Sequence, residues 1–178
     1  MLVLAAVALA TAGCSTPTRV DSGPIRAHTF SFMDPGPRQR PAYADNSQPI
    51  HAMIQQAIAT NLTTHGVTRM DKGGDVTVAY LLIIGDNAST ISINEYFGLR
   101  DDAANLQDKA HEAYTGNANP NHFEAGTLVI DIIDAKTYKL LKRGYATRPV
   151  LRNISNEARA ARIQEAVDDI LRDLRVER

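Results

Sequence analysis

Apolar residues along this chain follow two periods, one of two residues and one close to four, and their order predicts the fold. The clearest stretch is Ala125 to Ala146, AGTLVIDIIDAKTYKLLKRGYA. Leu128, Ile130 and Ile132 share one face of an extended strand, and Val129, Asp131 and Ile133 share the other, because strand side chains alternate. Asp131 is the only charge in that run, which predicts a central, mostly covered strand. Asp134 to Thr137 is a polar break of hairpin length, where Asp134 can bond its own backbone. Tyr138 to Ala146 returns as a second strand. Lys142 and Arg143 place a charge on each of its faces, so this strand is expected to be the more exposed of the two.

The longer period appears twice. From Pro49 to His65, Ile50, Met53, Ile54, Ala57, Ile58 and Leu62 form one apolar stripe. Pro49 suits the first turn of such a helix and Gly66 its C-terminal cap. Near the end of the chain, Ile163, Ala166, Val167, Ile170, Leu171 and Leu174 form a second stripe. Ser155 is its best N-cap, and Glu157 falls in the electropositive first turn. Arg159, Arg162, Arg172 and Arg175 lie among acids on the other sides and read as a solvated face. Further strands are expected at Ile25–Phe32, at Asp75–Ile84 after the Gly73-Gly74 break, and at Thr90–Phe97, with Gly85 to Ser89 as the intervening turn. The segment 98–124 is polar and rich in Asn and Asp, with length for a short helix between Asp101 and Ala113, and reads as an insertion. The predicted order is β-α-β-β, insertion, β-β-α. This is a single small α+β domain, a mainly antiparallel sheet of about five strands with both helices packed on one face.

The hairpin pattern GTLVIDIIDAKT…L…RG resembles the closing hairpin of the bacterial lipoproteins grouped as domain of unknown function 4136. The resemblance extends in order over Ala27 to Leu174: an early strand with the His28-Thr-Phe-Ser-Phe32 pattern, a helix, a strand, this hairpin and a final helix. It implies a lipoprotein signal and brings no established activity. Members often carry Trp just before the Arg-Gly pair; here that position is Lys142, and the chain has no Trp.

The first residues fit that implication. Leu2 to Ala12 is apolar, and eleven helical residues rise only about 16 Å, too short to span a bilayer. This is the length of a signal-peptide apolar region. It runs into Leu9-Ala-Thr-Ala-Gly13-Cys14, small residues ahead of the chain's one cysteine. That arrangement resembles the lipobox, with cleavage between Gly13 and Cys14 and acylation of the Cys14 sulfur and amine. Thr11 stands where Leu is commoner, and no Lys or Arg precedes the apolar run. A plain secretory peptide or a cytosolic N-terminal helix are the competing readings. Ser15, not Asp, follows the cysteine, which fits outer-membrane sorting. Residues 1–13 are therefore read as signal peptide, 14–24 as lipidated cysteine and tether, and 25–178 as the domain.

Composition narrows the functions. The chain has 178 residues, enough for one core, and 19 Lys and Arg against 20 Asp and Glu give a net charge of −1. A basic footprint for nucleic acid is lacking. One cysteine excludes an intramolecular disulfide and a four-cysteine zinc site. His111, Glu112, His122 and Glu124 match no recognised metal spacing. No phosphate loop, nucleophile elbow or zinc-protease motif occurs, so no catalytic residue, metal or cofactor is assigned. Tyr96, Phe97, Tyr114 and Phe123 are the candidate partner-binding residues, because aromatics anchor interfaces. The expected function is a non-enzymatic, lipid-anchored envelope protein, facing the periplasm from the outer membrane. It would act as a binding or scaffold unit for an envelope protein partner. The alternatives are a carrier of a small apolar ligand such as a lipid, and a hydrolase.

Overall fold

A computed structural model of the chain describes residues 19–33, 44–84, 87–89, 125–151 and 153–177. In chain order these form β1 (Val20–Asp21), β2 (Ile25–Arg26), β3 (Thr29–Phe32), α1 (Ala44–Thr64), β4 (Thr68–Arg69), β5 (Val76–Ile84), β6 (Asn87–Ser89), β7 (Ala125–Asp134), β8 (Leu140–Pro149), α2 (Asn156–Leu171) and β9 (Val176–Glu177). The main sheet runs β1-β8-β7-β5-β3-β4, with β6 continuing the β3 edge of β5. Pairing is antiparallel except where β3 lies parallel to β4 and β5. The class is α+β, as the periodicities predict.

Strand β7 is the centre of this sheet. It pairs with β5 from Gly126↔Ile84 to Asp134↔Val76, and with β8 along its other edge. Leu128, Ile130 and Ile132 join Val76, Val78 and Tyr80 in a core covered by Ile54, Ala57, Ile58 and Leu62 of α1 and by Ala166, Val167, Ile170 and Leu171 of α2. Both helices thus lie on one face. The other face carries a smaller cluster of Ala79, Leu81, Val129 and Ile133. Met53 is only half-buried and lies outside the core cluster, at the edge of the α1 stripe.

The helix ends follow local chemistry. Gly66 takes a left-handed φ of 81°, which lets Val67 N–H reach Leu62 O at 3.0 Å and Gly66 N–H reach Thr63 O at 2.9 Å. This is a Schellman closure, with Val67 buried behind it. Ser155 caps α2, its hydroxyl accepting from Ala158 N–H at 3.2 Å. Helix α1 begins earlier than Pro49, at Ala44, so Pro49 lies inside it and only the first turn precedes the missing N–H. In the hairpin, Asp134 Oδ1 accepts from Lys136 N–H, Thr137 N–H and the Thr137 hydroxyl.

Several expected elements are corrected. Ile25–Phe32 is two strands, not one. β2 pairs with the C-terminal β9, while β3 enters the main sheet. The switch is held by Asp75, whose Oδ2 accepts from His28 N–H, Thr29 N–H and the Thr29 hydroxyl at 2.9–3.0 Å. Asn87–Ser89, expected as turn, pairs antiparallel with Leu82–Ile84. Residues 90–97 and the insertion 98–124 lie outside the described residues. The stretch read as tether joins the fold over its last part: β1 pairs with Lys142 and Arg143, and the Arg19 guanidinium donates to Tyr145 O at 3.1 Å.

The return strand β8 is the more exposed of the two, as expected, but its two charges are not solvated. Asp131 and Lys142 are 4% and 7% exposed. Arg143 grips Asp131 with two donors, Nε at 2.8 Å from Oδ1 and Nη2 at 2.7 Å from Oδ2. Lys142 stands opposite Ile132 on the helix face, and its ammonium reaches Asp21 at 3.6 Å. Its methylene stem thus fills the place where the family resemblance expects an indole. Charges that look solvated in the sequence are neutralised by strands on either side.

Removing one member of the buried pair is therefore expected to cost far more than removing both. Asp131→Ala should lose about 3–5 kcal/mol in urea unfolding, while Asp131→Leu combined with Arg143→Leu should lose much less. The carboxyl of Asp75 is held below its usual range, first by the His28 N–H and then by the Thr29 hydroxyl and N–H. Its contribution is complete above the ordinary carboxylate pKa and is lost as pH falls through the folded value. Asp75→Asn should lower stability at pH 7, and the gap to wild type should close below about pH 4.

Candidate functional site

At one end of the helix layer the two helices and the sheet do not meet, and an apolar groove of about 140 Å³ remains. Helix α1 contributes Ile50 and Ile54, and the strands contribute Leu82, Gly126, Leu128 and Ala146. Helix α2 contributes Ile163 and Ala166, and Val150, Leu151 and Ile154 line it from the β8–α2 connection. The groove exists because small residues face one another. Ala146 stands opposite Leu128 in the β7–β8 register, and Ala166 is the small member of the α2 stripe. Two residues away the packing is the reverse: a Cβ on Gly144 would meet Ile170 Cγ2 at 2.7 Å and Ile170 O at 2.9 Å. Helix α2 touches the β8 backbone at Gly144 and leaves space at Ala146.

Three arginines stand at the rim. Arg148 pairs with Asp169, which also pairs with Arg172. Arg159 donates to Asn156 Oδ1 at 2.9 Å. Arg162 donates to the carbonyl of Pro149 at 3.0 Å, a neutral acceptor that holds the β8–α2 connection against the helix without cancelling the charge. Leu151 sits at the mouth with 41% of its surface exposed. The groove thus combines an aliphatic floor, an exposed apolar lip and a cationic edge.

A second polar cluster lies nearby, on α1 and β5. The Tyr80 hydroxyl is 3.3 Å from His51 Nδ1 and accepts from Gln55 Nε2 at 3.4 Å. Burial pushes the phenol up to about 12 and pushes the His51 imidazole down. Both groups are neutral near pH 7, so the cluster supplies hydrogen bonds rather than a proton relay. Among the described residues no three His, Cys, Asp or Glu side chains converge as metal ligands. No helix among them is long and apolar enough to cross a membrane.

The residues singled out from the sequence lie elsewhere. Gly13, Cys14, Tyr96, Phe97, Tyr114 and Phe123 are all outside the described residues. Sequence reasoning missed the groove, and it read Arg159 and Arg162 as part of a solvated face. The available signal was the recurrence of small residues, Gly126, Ala146 and Ala166, at positions where the apolar patterns otherwise place large ones.

The geometry defines a small α+β domain with a two-helix layer over one sheet face and an apolar groove at the end of that layer. The chain belongs to the family described as Domain of unknown function (DUF4136), whose sequence profile matches residues 20–174. No curated protein matches it. Among solved structures, it is similar to a PelC dodecamer subunit from Paraburkholderia phytofirmans, with 8% identity, 90% of this chain and 97% of that chain covered, and a TM-score of 0.45. It is also similar to part of a PDZ domain protein from Parabacteroides distasonis, with 15% identity, 80% of this chain and 32% of that chain covered, and a TM-score of 0.45.

Neighbouring substitutions on β8 should report the groove. Gly144→Ala is expected to cost about 1–3 kcal/mol through the clash with Ile170. Ala146→Val, filling open space two residues on, should be neutral or raise stability by up to about 1 kcal/mol. Thermal unfolding of the two variants, compared with wild type, checks both.

Proposed function

We propose that the protein is a lipid-anchored envelope lipoprotein that works as a binding or scaffold unit on the periplasmic side of the outer membrane. The observation that carries the binding role is the groove, and its size favours one of the readings. Pockets that enclose a drug-sized ligand run to about 300–1,000 Å³. The groove, at about 140 Å³, is closer to engineered cavities of about 150 Å³ that admit a benzene. A groove of this size encloses far less than a whole lipid, which counts against the carrier reading. One large aliphatic or aromatic side chain does fit, and such anchors dominate protein interfaces. The hydrolase reading would gain from clustered His and carboxylates, and among the described residues the groove is lined by none.

The anchor reading is supported by the lipobox pattern at Cys14 and by the family to which the chain belongs. It also sets a reach. Val20 is already hydrogen-bonded to the sheet, so only five residues separate it from Cys14, and the six Cα–Cα steps span at most about 20 Å. The groove would then work close to the bilayer surface.

Two substitutions test this. Cys14→Ser should move the protein from the membrane to the soluble fraction; unchanged fractionation would defeat the anchor. Wild type purified from detergent-solubilised membranes should bring down a stoichiometric protein, identified by mass. Leu151→Asp, which changes only an exposed lip residue, should reduce that recovery at least tenfold. Recovery unaffected by Leu151→Asp, or no stoichiometric protein with wild type, would remove the groove-based binding role.

A further inference from the structure

We infer that the groove seats an acidic, apolar segment of a protein partner, with one leucine- or phenylalanine-sized side chain on the floor and a neighbouring carboxylate on Arg162. This deepens the binding role proposed above and rests on it. Three features point to such an occupant. The floor is aliphatic and has room for one large side chain. The rim carries Arg162, and beside it Arg148 shares the Asp169 carboxylate with Arg172, so positive charge exceeds negative among these side chains. A guanidinium carries five N–H donors in a planar fork suited to a carboxylate. Arg162 spends one on the Pro149 carbonyl, which fixes the side chain beside Ile163 at the groove edge and leaves its charge uncancelled by that contact. A basic segment would meet like charge at this rim. A neutral apolar segment would leave the rim without complement. An acidic segment satisfies both parts of the site at once, and the rim arginines would also speed its approach.

The test uses the lipidated full chain in phospholipid nanodiscs, with ¹³C-methyl spectra of Ile, Leu, Val and Ala. Three probes are titrated: a blocked peptide alternating Asp and Glu with Leu and Phe, the same peptide with Lys for its acids, and decanoate. The acidic peptide should shift the methyls of Ile54, Ala146, Ile163 and Ala166. Arg162→Glu should weaken it at least tenfold, and Arg162→Gln, which keeps a donor for Pro149 O, should give an intermediate loss. Methyls of Val129 and Ile133 on the opposite sheet face, unchanged in both variants, verify the fold. Equal binding of the Lys peptide, or methyl shifts with decanoate but not with the acidic peptide, would overturn the inference. So would absence of shifts with any probe. Failure of the chain to co-purify with the nanodisc would defeat the anchor alone, and the same titration run on that chain in buffer would still decide the groove.

Discussion

Strand β7 is hydrogen-bonded to a neighbour along both edges, and the domain is organised by what that position demands. A strand so placed has no solvent-facing edge, and because apolar residues stand on both its faces, both call for cover. On one face, Leu128, Ile130 and Ile132 draw down both helices. On the other, Val129 and Ile133 join a second apolar cluster, with Asp131 between them. A carboxylate there is tolerable only with a charge partner and hydrogen bonds. Arg143, directly across the ladder, supplies both. The register of the hairpin is thereby fixed twice, by the turn at Asp134 and by an ion pair in its middle. A one-residue slip would put Arg143 among the helix-face aliphatics.

The same central hairpin shapes the groove. Gly144 allows α2 to come down onto the β8 backbone, and that contact sets the height of the helix above the sheet. With the height set, every other α2–β8 position is filled or left open by side-chain volume alone. Ala146 and Ala166 leave theirs open. The resulting space is a packing defect of the kind that large residues close in an ordinary core. Here it lies at the layer's end, beside a cationic rim, where it is open to a partner. Affinity at such a site would come from one anchoring side chain and its charge neighbour rather than from area.

Much of this architecture is legible in the sequence, and the misreadings have physical causes. The β7–β8 hairpin, the two helical stripes, the Gly66 and Ser155 caps and the Asp134 turn are local features, written in adjacent residues. The break between β2 and β3 is not local, because it depends on Asp75 accepting from His28 and Thr29 across a long stretch of chain. The burial of Lys142 and Arg143 depends on carboxylates from two other strands, Asp21 and Asp131. Adjacent charges look exposed until those partners are known. The groove depends on three elements meeting at small residues, and periodicity records that a position is apolar more readily than how much space it fills. Arg159 and Arg162 carry the same sequence signature whether they edge a groove or face bulk water.

The entry of the chain into the fold has a mechanical meaning. Any pull applied through the residues ahead of Arg19 reaches β1 first. There it is resisted by a two-residue pairing, the Asp21–Lys142 contact and the Arg19 bond to Tyr145 O. Next in line is the parallel clasp of Ile25 and Arg26 with Val176 and Glu177, reinforced by Ile25 N–H on Arg175 O at 2.9 Å. Only beyond that clasp does β3 join the main sheet. Under such a pull, residues 175–177 would act as a strain relief. They carry tension from the N-terminal lead into the end of α2, so that a tug on the lead is spent before it can peel β3 from β5.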